Sequence, residues 1–163
     1  MSNIIEIENF LSHGECDNLI VVHNELFDKY GKLHNQTEVL TLMGTLLNSD
    51  KKSNKLKHLH AKISAHIQDI DKHSFVNYFE VVKWKEGLNM EGHYDFDYHT
   101  WTSVIYLNDD YEGGETFVDD KRIIPLKGKI VTFTGAVLLH GVNKILKGNR
   151  YTTPVWYMST DVV

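Results

Sequence analysis

Two histidines and an aspartate define the chemistry open to this chain. His93 and Asp95 stand one residue apart in Gly92-His93-Tyr94-Asp95, and His140 follows some forty-five residues later in His140-Gly141. Two imidazoles and one carboxylate are the donor set that holds Fe(II) on one face and leaves coordination positions open for substrates. Arg150 comes ten residues after His140. Its planar, permanently charged guanidinium would hold the far carboxylate of a dicarboxylic co-substrate through two parallel hydrogen bonds.

These residues need elements to bring them together. In an extended segment His93 and Asp95 share a face and Tyr94 takes the other, so a strand over 92–96 turns both ligands the same way. His140 closes the apolar run Val137-Leu138-Leu139, which reads as a buried strand over 136–140 leading to the same place. Asp97 and His99 continue the face of Asp95, so His93, Asp95 and His99 form a competing set. That set leaves Arg150 without a purpose and ranks behind the one that includes His140.

From Phe75 onward the hydrophobic period is two, with strands expected at 75–84, 92–96, 101–107, 115–118, 122–124, 129–134, 136–140 and 150–158. Turn residues separate them at Asn108-Asp109-Asp110, Glu112-Gly113-Gly114 and Pro125-Leu126-Lys127-Gly128. Ahead of them a short strand near Ile4 runs into a helix. Ser12 and Glu15 have capping-box spacing, and Cys16, Leu19, Ile20, Leu26, Phe27 and Tyr30 recur at helical spacing up to Gly31, which offers a left-handed stop. A second helix carries Leu56, Leu59, Ile63, Ile67 and Ile70 on one face. Residues 32–54 lack periodicity and read as a variable segment able to form a lid. The expected fold is α+β: a jelly-roll core of about eight antiparallel strands with two N-terminal helices packed on it. One domain spans 1–163, with 1–74 as a supporting strand and helices and 75–163 as the core; the barrel mouth is a natural pocket.

Composition narrows the partners. A net charge of -5 and a pI near 6.0 argue against nucleic acid, whose binders carry a basic face. No apolar run has membrane-spanning length and the N-terminus lacks a secretory pattern, so a cytoplasmic protein that does not engage membranes is expected. The lone Cys16 sits on the apolar side of the first helix and reads as a buried thiol. His13, His23, His34, His58, His60, His66 and His73 have no partner at useful spacing and read as solvated. Trp84, Trp101 and Trp156 read as core or rim packing, with Trp156 able to line the pocket. Pro154 within the last strand implies an edge or a bulge.

The residues from His93-Tyr94-Asp95 through Ile105-Tyr106-Leu107-Asn108, Glu112-Gly113-Gly114-Glu115-Thr116, His140-Gly141-Val142 and Arg150-Tyr151 to Val155-Trp156-Tyr157 resemble the 2-oxoglutarate/Fe(II)-dependent dioxygenases of the prolyl 4-hydroxylase type. Ile7-Glu8-Asn9-Phe10-Leu11-Ser12 with Glu15-Cys16-Asp17 is similar to the start of the same enzymes, so the resemblance spans the chain outside 32–54. It departs at Trp84-Lys85-Glu86-Gly87, where many relatives carry Tyr-x-Pro-Gly. The resemblance implies a double-stranded β-helix holding Fe(II) through His93, Asp95 and His140. It implies 2-oxoglutarate bound at Arg150 with the Tyr106 hydroxyl as second donor, O2 as oxidant and ascorbate as reductant. It also implies a monomer that acts on a prolyl residue in a peptide or protein, releasing succinate and CO2. The competing readings are the same chemistry on a free amino acid, another small molecule or a nucleobase, and a metal-binding jelly roll that does not oxidise.

Overall fold

The computed structural model describes residues 4–42 and 53–161. In chain order its elements are β1 (Ile4–Ile7), α1 (His13–Tyr30), β2 (Lys32–His34), β3 (Thr37–Thr41), α2 (Ser53–Ile70), β4 (Ser74–Trp84), β5 (Met90–His93) and β6 (Trp101–Tyr106). They continue as β7 (Glu112–Gly113), β8 (Thr116–Val118), β9 (Lys121–Ile123), β10 (Ile130–Phe133), β11 (His140–Val142), β12 (Ile145–Lys147) and β13 (Arg150–Ser159). A seven-stranded sheet runs β1-β10-β6-β13-β4-β3-β2, a four-stranded one β5-β11-β8-β9, and β12 pairs with β7.

Period-two burial makes this a jelly roll with helices on one side. On the large sheet Phe79, Val81, Ile105, Ile130, Val155 and Tyr157 turn toward α1 and α2, where they meet Leu19, Val22, Leu56, Ile63 and Ile67. Their strand neighbours turn the other way: Tyr106, Val131 and Phe133 pack with Val118 and Ile123 of the small sheet, and Val82 and Trp84 pack with Val142. Fully burying one such aliphatic side chain is worth roughly 1.5–3 kcal/mol, so both faces of the large sheet drive folding. No helix among the described residues is long and apolar enough to cross a membrane.

The first helix begins as its sequence dictates: Glu15 N donates to Ser12 Oγ at 3.1 Å and Ser12 N to Glu15 Oε1 at 3.0 Å. Cys16 is buried, and burial pushes its thiol up to about 11. Its end differs from expectation. Gly31 is extended rather than left-handed and donates to the Phe27 carbonyl, and glycine is needed because a Cβ there would collide with the Phe27 ring. Residues 32–41, expected to lack periodic structure, form a hairpin whose Lys32, His34, Thr37 and Val39 line the cavity between the two sheets: β3 pairs with β4, and the Asn35-Gln36 turn has positive φ at both positions, as a two-residue hairpin requires. The rest of the expected lid, 43–52, lies outside the described residues.

Three strand expectations shift as well. The run 136–140 is mostly a turn in which Val137 and Leu138 both donate to the Thr134 carbonyl and Val137 is 68% exposed; His140 opens β11 instead of closing a strand. The strand over 92–96 ends at His93. Pro154 lies at neither an edge nor a bulge: β13 is flanked by β4 and β6, and the register with β4 passes from Thr152↔Val82 to Val155↔Phe79, so Pro154 falls in a gap of that ladder where no N–H is needed.

Two histidines expected in solvent are core residues. His66 on α2 reaches Thr132 Oγ1 at 2.8 Å across the sheet, and burial holds its pKa below the usual imidazole value. His23 is buried with Nε2 2.9 Å from the Glu38 carbonyl and its ring stacked on Phe27.

Candidate functional site

The small sheet sets the geometry of the site. His93, the last residue of β5, stands directly opposite His140, the first of β11, in the antiparallel ladder, and the two rings are 4.4 Å apart between centroids. Asp95 follows two residues after His93 in a segment pinned by its own N–H to the Gly135 carbonyl at 3.0 Å. Asp95 Oδ1 then lies 3.4 Å from His140 Nε2 and 3.9 Å from His93 Nε2. One ligand atom from each of the three residues lies within 4.8 Å of the others, the separation a single metal ion can span.

The side chains are oriented from behind. His93 Nδ1 is 3.1 Å from the Glu91 carbonyl and His140 Nδ1 2.9 Å from that of Leu138, so each ring donates from Nδ1 and presents the Nε2 lone pair to the centre. The Phe133 ring packs edge-on to His140 at 4.9 Å. Thr102 donates to Asp95 Oδ2, leaving Oδ1 for the centre. Burial raises the Asp95 pKa, but the two neighbouring imidazoles and the Thr102 hydrogen bond outweigh it, so the group lies below the ordinary carboxylate value. Gly135 leaves room for the arrangement, because a Cβ there would collide with Asp95 Oδ2.

The centre opens on a cavity of about 440 Å³ between the two sheets, a volume suited to small ligands. Arg150, only 2% exposed, lines it from the start of β13, with its guanidinium over the rings of Trp84 at 5.3 Å and Tyr106 at 5.7 Å. It donates to Thr116 Oγ1 at 3.0 Å and more weakly to Thr152 Oγ1 at 3.5 Å. Its Nε has no partner, and among the described residues no carboxylate pairs with it. A buried cation without a counter-ion is costly, so this cavity is built for an anion.

Tyr106 lies beside Arg150, its ring 5.7 Å from the guanidinium. It is fully buried behind the cavity wall, and its hydroxyl donates to Thr116 Oγ1 at 2.6 Å. Thr116 thus accepts from both Tyr106 and Arg150, and its own proton is left to donate into the cavity it lines. Thr116, Thr102 and Gly135 are the residues that sequence reasoning missed. Their importance depends on strand register and close approach, which spacing does not carry.

The competing ligands stay apart. Asp97 is exposed, and His99 is buried with Nε2 3.3 Å from Asn77 Nδ2; neither belongs to the three-residue cluster. His99 instead joins an aromatic wall in which Trp156 stacks on Tyr78 at 4.6 Å, and burial pushes the Tyr78 hydroxyl up to about 12.

A family model described as the 2OG-Fe(II) oxygenase superfamily matches residues 74–158. Prolyl 3-hydroxylase 2 of Homo sapiens is 31% identical over 70 residues, covering 38% of this chain and 10% of that protein, so the chain spans about a tenth of the length of the curated relatives it matches. Among solved structures, the viral collagen prolyl hydroxylase of Paramecium Bursaria Chlorella virus-1, in its 2OG complex, superposes with a TM-score of 0.73 at 20% identity over 98% of this chain and 97% of that one. The Trichoplax adhaerens prolyl hydroxylase in complex with a hypoxia inducible factor peptide fragment gives 0.78 at 18% identity over 98% and 84%. At such identities the structural likeness speaks for the fold.

Proposed function

Because this chain belongs to the 2OG-Fe(II) oxygenase superfamily, we propose that it hydroxylates a prolyl residue of a peptide or protein, with His93, Asp95 and His140 holding Fe(II) and Arg150 holding 2-oxoglutarate. The observation that carries this reading is that three metal donors and a buried arginine without an acid share one cavity.

The residues fit both groups. Two imidazoles presenting Nε2 and one carboxylate oxygen are a donor set for Fe(II) that leaves positions open. The Arg150 guanidinium, with the Thr116 hydroxyl beside it and the Tyr106 hydroxyl bonded to that threonine, is a donor cluster for the far carboxylate of 2-oxoglutarate. When bound, Fe(II) and 2-oxoglutarate would supply the electrons that activate the oxidant O2, one atom of which goes to succinate, released with CO2, and the other to a C–H bond of the substrate.

The chain's own share is placement. Glu91 and Leu138 carbonyls fix the imidazole tautomers, Thr102 reserves one carboxylate oxygen for the metal, and Trp84 and Tyr106 hold the guanidinium between them. Tyr78, Trp156 and Pro154 give one part of the cavity an apolar wall suited to an apolar ring, while Lys32, His34 and Glu80 also line it. The prolyl substrate is supported by the names of the relatives above, which are prolyl hydroxylases.

The test is to incubate the protein with Fe(II), ascorbate, 2-oxoglutarate and proline-containing peptides and to compare succinate with peptide mass. Succinate rising with peptide, matched by one oxygen located on proline, is the expected result. Turnover stimulated only by free amino acids or other small molecules would transfer the same chemistry to a different substrate class.

A further inference from the structure

The cavity holds a second ionisable group without a counter-charge, on its large-sheet wall. Alternate residues of β4, Tyr78, Glu80, Val82 and Trp84, line the cavity, while Phe79 and Val81 between them pack toward the helices. Trp84 pairs with Arg150, so this file leads away from the arginine, and Glu80 stands about 13 Å along it at roughly 3.3 Å per residue. Thr41 of β3 lies opposite Glu80 and gives its carboxyl a hydrogen bond. On the other side runs β13, whose Pro154 has no N–H to offer. No cation among the described residues forms an ion pair with this carboxyl; Lys32 attracts it from the exposed hairpin without reaching it. Burial outweighs the lysine and the hydroxyl and holds the Glu80 pKa above the ordinary glutamate value.

We infer that Glu80 selects the substrate by pairing with a protonated amine that flanks the reacting proline; this rests on the peptide reading above. The Arg150 end is committed to the co-substrate, and the metal donors come from the small sheet, so a peptide that reaches the metal enters between the sheets, across the wall where Glu80 stands. Facing sheets lie roughly 10 Å apart, a gap spanned by a residue and one long side chain. What Glu80 lacks identifies the group it takes. Thr41 already supplies a neutral hydrogen bond, and a carboxylate out of water without a counter-charge is costly until a cation arrives. Tyr78, on the same strand face, and Trp156, stacked on it at 4.6 Å, offer aromatic rings to the same cation. Lys32 and His34, on the exposed hairpin, offset part of this attraction. The amine has two sources: the side chain of a lysine beside the proline, or the free terminus of a chain that begins there.

The test compares N-acetylated peptides of one sequence in which the residue beside proline is lysine, glutamine or glutamate, with a fourth that keeps glutamine but has a free N-terminus next to the proline. Affinity is read by fluorescence anisotropy on the anaerobic protein with Fe(II) and 2-oxoglutarate, where no turnover occurs, and KM from succinate formation in air. An amine-bearing peptide should bind the wild type about tenfold to a hundredfold more tightly than the acetylated glutamine peptide, the scale of one charge-assisted hydrogen bond, and the glutamate peptide should bind most weakly. Glu80→Gln keeps the shape of the side chain and should raise KM for the amine peptides to that of the glutamine peptide; Glu80→Lys should favour glutamate. Retention of the Fe(II) and 2-oxoglutarate charge-transfer band checks that both variants are folded. A gain with lysine assigns the side chain, and a gain with the free terminus assigns the chain end. Wild type that binds all four peptides within about twofold, or an amine preference that survives Glu80→Gln, would overturn the role of Glu80. A preference that depends on Glu80, without oxygen added to proline, would keep that role and remove the prolyl reaction. Oxygen on proline with all four peptides used equally would remove the role and keep the reaction.

Discussion

Arg150→Met separates what this arginine does for the fold from what it does for a ligand. The buried guanidinium has one good hydrogen bond, to Thr116 at 3.0 Å, one marginal bond, the Tyr106 and Tyr111 hydroxyls as further polar neighbours, an unpartnered Nε and two aromatic faces. The charged hydrogen bond contributes about 1.5–3 kcal/mol and the ring contacts about 1–2 kcal/mol each when desolvated. Against them stands a desolvation cost of several kcal/mol for an ion without a counter-charge. The two sides roughly cancel, and methionine fills much of the same space without that cost. The ligand-free variant should therefore lie between unchanged and about 2 kcal/mol more stable, a rise in Tm of up to several degrees for a chain of this size. Co-substrate binding should move the opposite way, weakening about tenfold to over a hundredfold with loss of the charge-assisted bond. The assay is thermal unfolding under anaerobic Fe(II) with increasing 2-oxoglutarate. Wild type should gain about 2.7 kcal/mol once the ligand reaches a hundred times its Kd, and the variant should gain little at the same concentrations. A ligand-free variant more than about 2 kcal/mol less stable than wild type would mean that the guanidinium is satisfied internally, and the argument for an external carboxylate would fall.

Four further outcomes follow from the same coordinates. His93→Ala, Asp95→Ala and His140→Ala should each abolish the visible charge-transfer band that Fe(II) and 2-oxoglutarate give together, while exposed Asp97→Ala retains it; a band lost in Asp97→Ala would redraw the ligand set. Gly135→Ala drives a methyl group into Asp95 Oδ2 and should cost about ten- to a hundredfold in metal affinity, read by competition with a chelator while the far-ultraviolet spectrum is retained. Thr116→Val leaves the Tyr106 hydroxyl and an Arg150 N–H without an acceptor, so it should destabilise the fold by about 1–3 kcal/mol for each buried donor, with Thr116→Ser recovering most of the loss in urea unfolding. Burial depresses the His66 pKa in the folded state, so the unfolded chain binds the proton first and stability falls as pH drops below about 6.5; His66→Leu should flatten that part of the stability curve, and an unchanged slope would assign it to other groups.

The parts of the fold legible in the sequence are those that repeat. Val81 faces the helices and Val82 the small sheet, as Ile105 and Tyr106 or Ile130 and Val131 do, and this alternation announces a two-faced sheet. Leu56, Leu59, Ile63 and Ile67 announce a helix in the same way. What does not repeat was hidden. Strands β7 and β12, two and three residues long, are too short to show a period. The hairpin at 32–41 turns on Asn35-Gln36 rather than a glycine pair. His66 and His23 looked solvated because a search along one helix face cannot reveal Thr132, sixty-six residues away, or a backbone carbonyl on β3.

The site divides along the same line. His93, Asp95, His140 and Arg150 stand out by residue type and spacing, with His99 as the competing donor in place of His140. Their joint placement comes from register: β5 and β11 pair so that His93 meets His140, and β13 starts at Arg150 opposite Trp84. Register also decides which hydroxyls matter. Thr116 pairs with Val142 on β11 and accepts from a tyrosine on β6 and an arginine on β13, so the small sheet and the large sheet meet at one oxygen. A threonine in a strand is otherwise an ordinary β-former. Only the closed jelly roll makes this one the point at which the Tyr106 hydroxyl and the Arg150 guanidinium meet.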